Sequence, residues 1–210
     1  VVQPQETADY RAAYPNLEIL PLPKKMHIGE TRKWIMRQTD QNHWQMDDDV
    51  LARCMEGVNF VEALELRELH IPSTPLVGFG RQYMGTQVYE KGRFHKNMGV
   101  WHMLGINVKL MGSSPVHHFS LYEDTVMNIH AREAGGTNVD YGVLLGNASY
   151  TKRDGTGCSS YRSIEVIEQN MRELVLLYPK YCTIVPSDKL TQGLPVGKTV
   201  KTSWSKIRPL

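Results

Sequence analysis

The chain is 210 residues long, 41% hydrophobic and 22% charged, a balance that excludes wholesale disorder and fits an ordinary folded protein. A compact fold of that length buries roughly 70% of the surface of its unfolded chain, so a self-supporting core is feasible. The net charge of +2 argues against nucleic acid as the partner, because each neutralised phosphate needs a Lys or Arg.

No apolar run approaches the roughly 18 residues of a membrane-spanning helix. The longest candidate, Leu174 to Tyr178, stops at Pro179. No transmembrane span is expected, and peripheral contact with a membrane stays open. The opening VVQPQETADY has neither the basic flank and apolar stretch of a secretory signal nor the Arg-rich character of a transit peptide, so a removed presequence is expected. Cys54, Cys158 and Cys182 are odd in number and far apart, which fits a reducing or mitochondrial compartment better than a disulfide scaffold. Charge is segregated: residues 40–70 hold eight acids against Arg53 and Arg67, whereas residues 188–210 hold Lys189, Lys198, Lys201, Lys206 and Arg208 against Asp188. Such separation favours docking to charged protein partners.

In chain order, residues 1–28 carry Pro4, Pro15, Pro21 and Pro23 without periodicity and predict an extended arm. Residues 29–39 (GETRKWIMRQT) predict a short helix. The run Asp47-Asp48-Asp49 then offers a capping oxygen and negative charge to a second helix, along which Leu51, Cys54, Met55, Val58 and Val61 keep helical spacing before drifting towards Leu66 and Leu69. Consecutive Asp side chains do not converge on a metal without a loop built for it, so no metal site is assigned there. After Pro72 and Pro75, the segments YMGTQVYE, GVWHML and INVKLM, and then VHHFSLYE and VDYGVLLGNASY, predict short strands of a small antiparallel sheet. A helix begins near Ser163, its stripe made of Ile164, Ile167, Met171, Leu174, Val175 and Tyr178, and Pro179 stops it. The expectation is an α+β fold: an arm over 1–28, a globular domain over 29–179 packed by two main helices, and an extended basic tail over 180–210.

Motifs of chemistry fail on spacing. Gly193-Leu194-Pro195-Val196-Gly197-Lys198-Thr199 resembles a phosphate-binding loop, but it has one residue too few between its glycines, and Pro195 removes an amide. Gly78-Phe79-Gly80 lacks the third glycine of a dinucleotide pattern, since Tyr83 stands there; a turn is expected instead. The eight His include no pair at zinc spacing, and His117 and His118 would face opposite sides of a strand. Cys158, between the turn KRDGTG and a helix, is the best candidate nucleophile, with His117, His118 or His130 as its base. The Trp and Tyr residues lack the alternate placement of an RNA-reading sheet.

Leu76-Val77-Gly78, then Gly85 with Tyr89-Glu90, then Trp101 stand at spacings that resemble the small peripheral-arm accessory subunit family of mitochondrial NADH:ubiquinone oxidoreductase. That resemblance implies a non-catalytic structural subunit on the matrix side of the inner membrane. Together with the arms and the absence of a motif, it leads to the expectation of an accessory subunit of a respiratory-chain or ATP-synthase complex, with other subunits as partners and no catalytic, cofactor-binding or metal residues. A mitochondrial ribosomal protein and a small thiol enzyme using Cys158 are the alternatives.

Overall fold

The computed structural model describes residues 1–47, 50–81, 94–147, 162–191 and 193–208. Near its start a short helix, α1 (Thr7–Ala13), follows a 3-10 turn, while Val2 and Leu22 are both buried. The predicted helix after Gly29 is α2 (Ile28–Gln38). His27 caps it: its Nδ1 accepts from the Glu30 amide at 3.3 Å, and the Glu30 carboxylate accepts from the His27 amide at 3.2 Å, a reciprocal box that satisfies two otherwise orphaned donors.

The helix expected from Val50 does not form. Instead β1 (His43–Met46) is followed by β2 (Val50–Cys54), because a five-residue antiparallel ladder from Val50↔Asn147 to Cys54↔Val143 offers the backbone partners that propensity alone does not weigh. The helix of this region, α3 (Phe60–Glu68), starts later, where Asn59 Oδ1 accepts from the amides of Val61 and Glu62. Next come β3 (Leu76–Arg81), β4 (Phe94–Lys96), β5 (Met103–Ile106), α4 (Val108–Met111), α5 (Glu123–Glu133), β6 (Thr137–Asn147), α6 (Ile164–Leu177), β7 (Cys182–Pro186) and β8 (Lys198–Thr202).

Three more expectations are corrected. Gly78 and Gly80 lie inside β3 rather than in a turn, and their missing side chains let Val100 and Tyr141 press on the strand. INVKLM turns into α4, since Asn107 caps it through the Leu110 amide at 3.1 Å. VHHFSLYE is a 3-10 turn at Val116–His118 leading to α5, and the His117 and His118 rings sit together, centroids 4.0 Å apart. The segment YMGTQVYE lies outside the described residues.

The fold is α+β, built on an open six-stranded sheet of order β1-β5-β3-β6-β2 with β4 also paired to β6. It is mixed rather than purely antiparallel, because β3 and β6 run parallel. Both faces are covered. Val139 and Tyr141 of β6 belong to a core with Leu76, Leu104, Ile129 and Leu174, whereas Val143 and Leu145 pack with Phe79 and Ala63 on the other side. Residues of one parity can switch faces only where the pleat is broken, and the β3–β6 register jumps between Phe79 and Gly80. Beside that break the Gly142 amide donates to Asp140 Oδ1 at 2.7 Å.

The helix predicted near Ser163 is α6, with Ser163 Oγ accepting from the Val166 amide and Ile167, Met171 and Leu174 buried. Residues 180–210, expected as an extended tail, hold the hairpin β7–β8 and place Ile207 in the core at 2% exposure.

Candidate active site

Four segments meet where β1 leaves the sheet and β5 enters it. The Asp47 amide, one residue past β1, donates to the His102 carbonyl at 2.9 Å. His102 has φ +64 and Tyr122, just before α5, has φ +65. Two bulky residues in the left-handed region within one small site are backbone strain of the sort that concentrates at functional centres. Their effect here is geometric: His102 turns its ring towards Asp47, and Tyr122 swings Glu123 and Asp124 into the first turn of α5.

Arg32 of α2, 3% exposed, is the hub. Its Nη2 lies 2.8 Å from Asp47 Oδ1, 3.5 Å from Asp124 Oδ1 and 3.9 Å from Glu123 Oε1. His102 Nδ1 is 3.5 Å from Asp47 Oδ2. Three carboxyl groups therefore share one guanidinium, and about a quarter of the Asp47 and Asp124 side chains remains open to solvent.

That imbalance separates the three acids. Burial opposes the charge of Arg32, but Asp124, Asp47 and Glu123 outweigh it and hold the guanidinium charged. Burial pushes the Asp47 carboxyl up, yet the His102 hydrogen bond and Arg32 overcome this and keep it below the ordinary aspartate range. For Glu123 burial wins and Asp124 adds to it, pushing the carboxyl up to about 8. Burial raises Asp124 as well, against the pull of Arg32. Acids whose environments drive them apart in this way mark acid–base chemistry. Asp124 Oδ1 is buried and accepts no hydrogen bond from any described residue, although Arg32 Nη2 faces it at 3.5 Å.

Sequence spacing does not reveal this site: Asp47 sits where a helix cap is expected, Arg32 and His102 belong to no motif, and the adjacent acids Glu123-Asp124, opening a helix, are the legible signal. The structure separates the candidates that were named. His130 accepts or donates at Ser113 Oγ, 3.2 Å away, and pairs with no thiol among the described residues; Cys158, Asp48 and Asp49 lie outside the described residues. No three metal-ligating side chains converge among the described residues, and no helix among them is long and apolar enough to cross a membrane.

The acid pair and its arginine thus lie where β1 and β5 meet, beside a mixed sheet covered on both faces. A family model described as TET-associated glycosyltransferase matches residues 1–145, and the chain belongs to that family. Among solved structures it is similar to residues 1–349 of TarS from S. aureus, described in complex with UDP-GlcNAc, at 14% identity and a TM-score of 0.47, over 81% of this chain and 54% of that one. The chain thus spans about half the length of that solved chain. No curated protein matches it.

The family assignment overturns the respiratory-chain reading. Of the residues that carried it, Gly85, Tyr89 and Glu90 lie outside the described residues, and Leu76-Val77-Gly78 belongs to a buried strand. The run matched because glycine and aliphatic residues recur in buried strands of many folds. The non-catalytic role, the complex I and ATP-synthase assignments and the mitochondrial accessory-subunit description fall with it.

Proposed function

We propose that the chain transfers a sugar from an activated donor to an acceptor hydroxyl, with Asp124 as the general base. The observation that carries the reading is the raised Glu123–Asp124 pair beside a carboxylate held low, all three on Arg32. In one step the base takes the acceptor O–H proton, the acceptor oxygen forms its bond to the anomeric carbon, and the bond to the leaving group breaks with its electron pair going to that group. A base with a raised pKa is strong enough near neutral pH to accept the proton as that bond forms. Glu123 keeps its proton and stabilises the charge on Asp124, while Asp47, fixed by His102 and Arg32, holds the arginine in place.

The family's description associates these transferases with TET, which makes a hydroxyl-bearing molecule found together with TET the acceptor to test first. The full chain is incubated with a panel of nucleotide sugars and that acceptor, and sugar incorporation is followed by mass spectrometry. Incorporation that disappears in Asp124→Asn supports the reading. Transfer that persists undiminished in Asp124→Asn would remove Asp124 from the role, and no transfer from any donor would defeat the reading for this chain.

A further inference from the structure

The amino-terminal ends of β3 and β6, where Leu76 stands beside Thr137, frame a cavity of about 380 Å³. Small-molecule sites run from about 300 to 1,000 Å³, so the space suits a compact ligand. Three segments wall it: Ser73 and Thr74 ahead of β3, Lys96 and Asn97 at the close of β4, and the stretch from Gly135 to Asn138 that opens β6. Asp47 and His102 lie at the other end of the sheet, past the Met46↔Met103 pair, whereas β5 meets Leu76 through Ile106. The cavity is therefore separate from the carboxylate site.

Main-chain bonds fix its wall. The Asn97 amide donates to the Thr137 carbonyl and the Gly136 amide to the Ala131 carbonyl, both at 2.8 Å, while Arg132 Nη2 donates to the Asn97 carbonyl. Asn97 is held at φ +58 and Gly136 at φ +116. Glycine is needed at the second position, because a Cβ there would stand 2.8 Å from Asn97 Oδ1 and push that amide off the wall. A wall tied down in this way loses little further freedom when a ligand enters, which favours binding.

The chemistry of the wall selects the ligand. Among the described residues that line the cavity there is no aspartate or glutamate, and Lys96 brings a full positive charge. His70 also lines it, with its ring held below the usual histidine range by burial and by Arg67. Asn138 Nδ2 donates to Thr74 Oγ1 at 3.3 Å; the Thr74 hydroxyl accepts there and keeps its own proton to donate. A lysine ammonium is a point-charge partner for phosphate. We propose that this cavity is a second ligand site, taking a small phosphate monoester with its phosphate on Lys96 and Thr74 and its hydroxyls on the amides of Asn97 and Asn138. Nothing in this assignment depends on Asp124 being a base.

The experiment is an amide NMR titration of the full chain at neutral pH with glucose 6-phosphate, inorganic phosphate and glucose in turn, the side-chain amides being assigned with Asn97→Gly and Asn138→Ser. Glucose 6-phosphate is expected to shift both side-chain amides saturably, and less tightly as salt is added, because Lys96 is exposed. Inorganic phosphate should move the Lys96 main-chain amide, and glucose should move none of these signals. Lys96→Met keeps the stem and removes the charge, and is expected to weaken glucose 6-phosphate binding by about tenfold or more. The proposal is overturned by the absence of a saturable shift, by parent-like binding in Lys96→Met, by an equal response to glucose, or by shifts centred on Asp47 and His102. Should Lys96→Met not fold, Lys96→Gln decides it.

Discussion

The amide of Asp47 donates to the His102 carbonyl at 2.9 Å, while the His102 ring stands 3.5 Å from the Asp47 carboxylate. One pair of residues thus joins β1 to β5 through both main chain and side chain. Because His102 sits at φ +64, its ring and its backbone can be tested separately. His102→Gly keeps the turn and removes the ring; the Asp47 carboxyl should rise and transfer should fall about tenfold, the low end of a positioning effect. His102→Ala should lose as much activity and a further ~1 kcal/mol of stability from strain, measured by urea unfolding.

Asp124→Asn removes the proposed base but retains its shape. Transfer should drop by about 10²- to 10⁴-fold, whereas stability should hold or improve, because a buried acid competing for one guanidinium has been neutralised. Steady-state rates set beside thermal melts check both arms.

Stability should fall as pH rises through neutrality. Glu123, raised to about 8 by burial and by Asp124, keeps its proton in the folded state after the unfolded chain has lost it near its ordinary value of 4.5. The unfolded state then binds fewer protons, so each pH unit between these values removes up to about 1.4 kcal/mol. Glu123→Gln should flatten that slope in urea unfolding from about pH 5 to about pH 9. Asp47 runs the other way: its lowered value stabilises the fold above the unfolded aspartate range, and this contribution disappears as pH falls through the folded one.

Arg67 and Asp140 form a buried pair, Nη2 to Oδ2 at 3.3 Å, with side chains 1% and 6% exposed. Asp140 also sits at the β6 irregularity, so the pair ties α3 to the strand where its facing changes. Arg67→Ala should cost about 3–5 kcal/mol by leaving the aspartate uncompensated, and Arg67→Met with Asp140→Leu should cost less than Arg67→Ala alone. Denaturant midpoints of the two variants give the comparison.

Gly29→Ala should be severely destabilising although Ala favours helices. A Cβ at Gly29 would overlap the carbonyl oxygens of Val116 and Phe119, main-chain atoms that cannot rotate away. About 2 kcal/mol or more is expected, together with lost transfer, since α2 carries Arg32. A variant as stable as the parent would show that the two segments can part without harm.

Local signals in the sequence were enough for elements whose neighbours agree with them. Ser163, the stripe of Ile167, Met171 and Leu174, and Pro179 define α6, and the alternation after Val139 defines most of β6, because a cap, a period and a breaker are each read within a few residues. What tertiary structure decided was the fate of Asp47 and everything built on it. Helical spacing after Val50 yields to a ladder with Leu144 and Leu145, whose pairing energy comes from residues about ninety positions away. The site unites Arg32, Asp47, His102 and Glu123-Asp124, none of which forms a motif with another except the adjacent acids. Their chemistry arises from burial, from one shared guanidinium and from two left-handed non-glycine residues, and these are properties of the packed chain rather than of any segment of it.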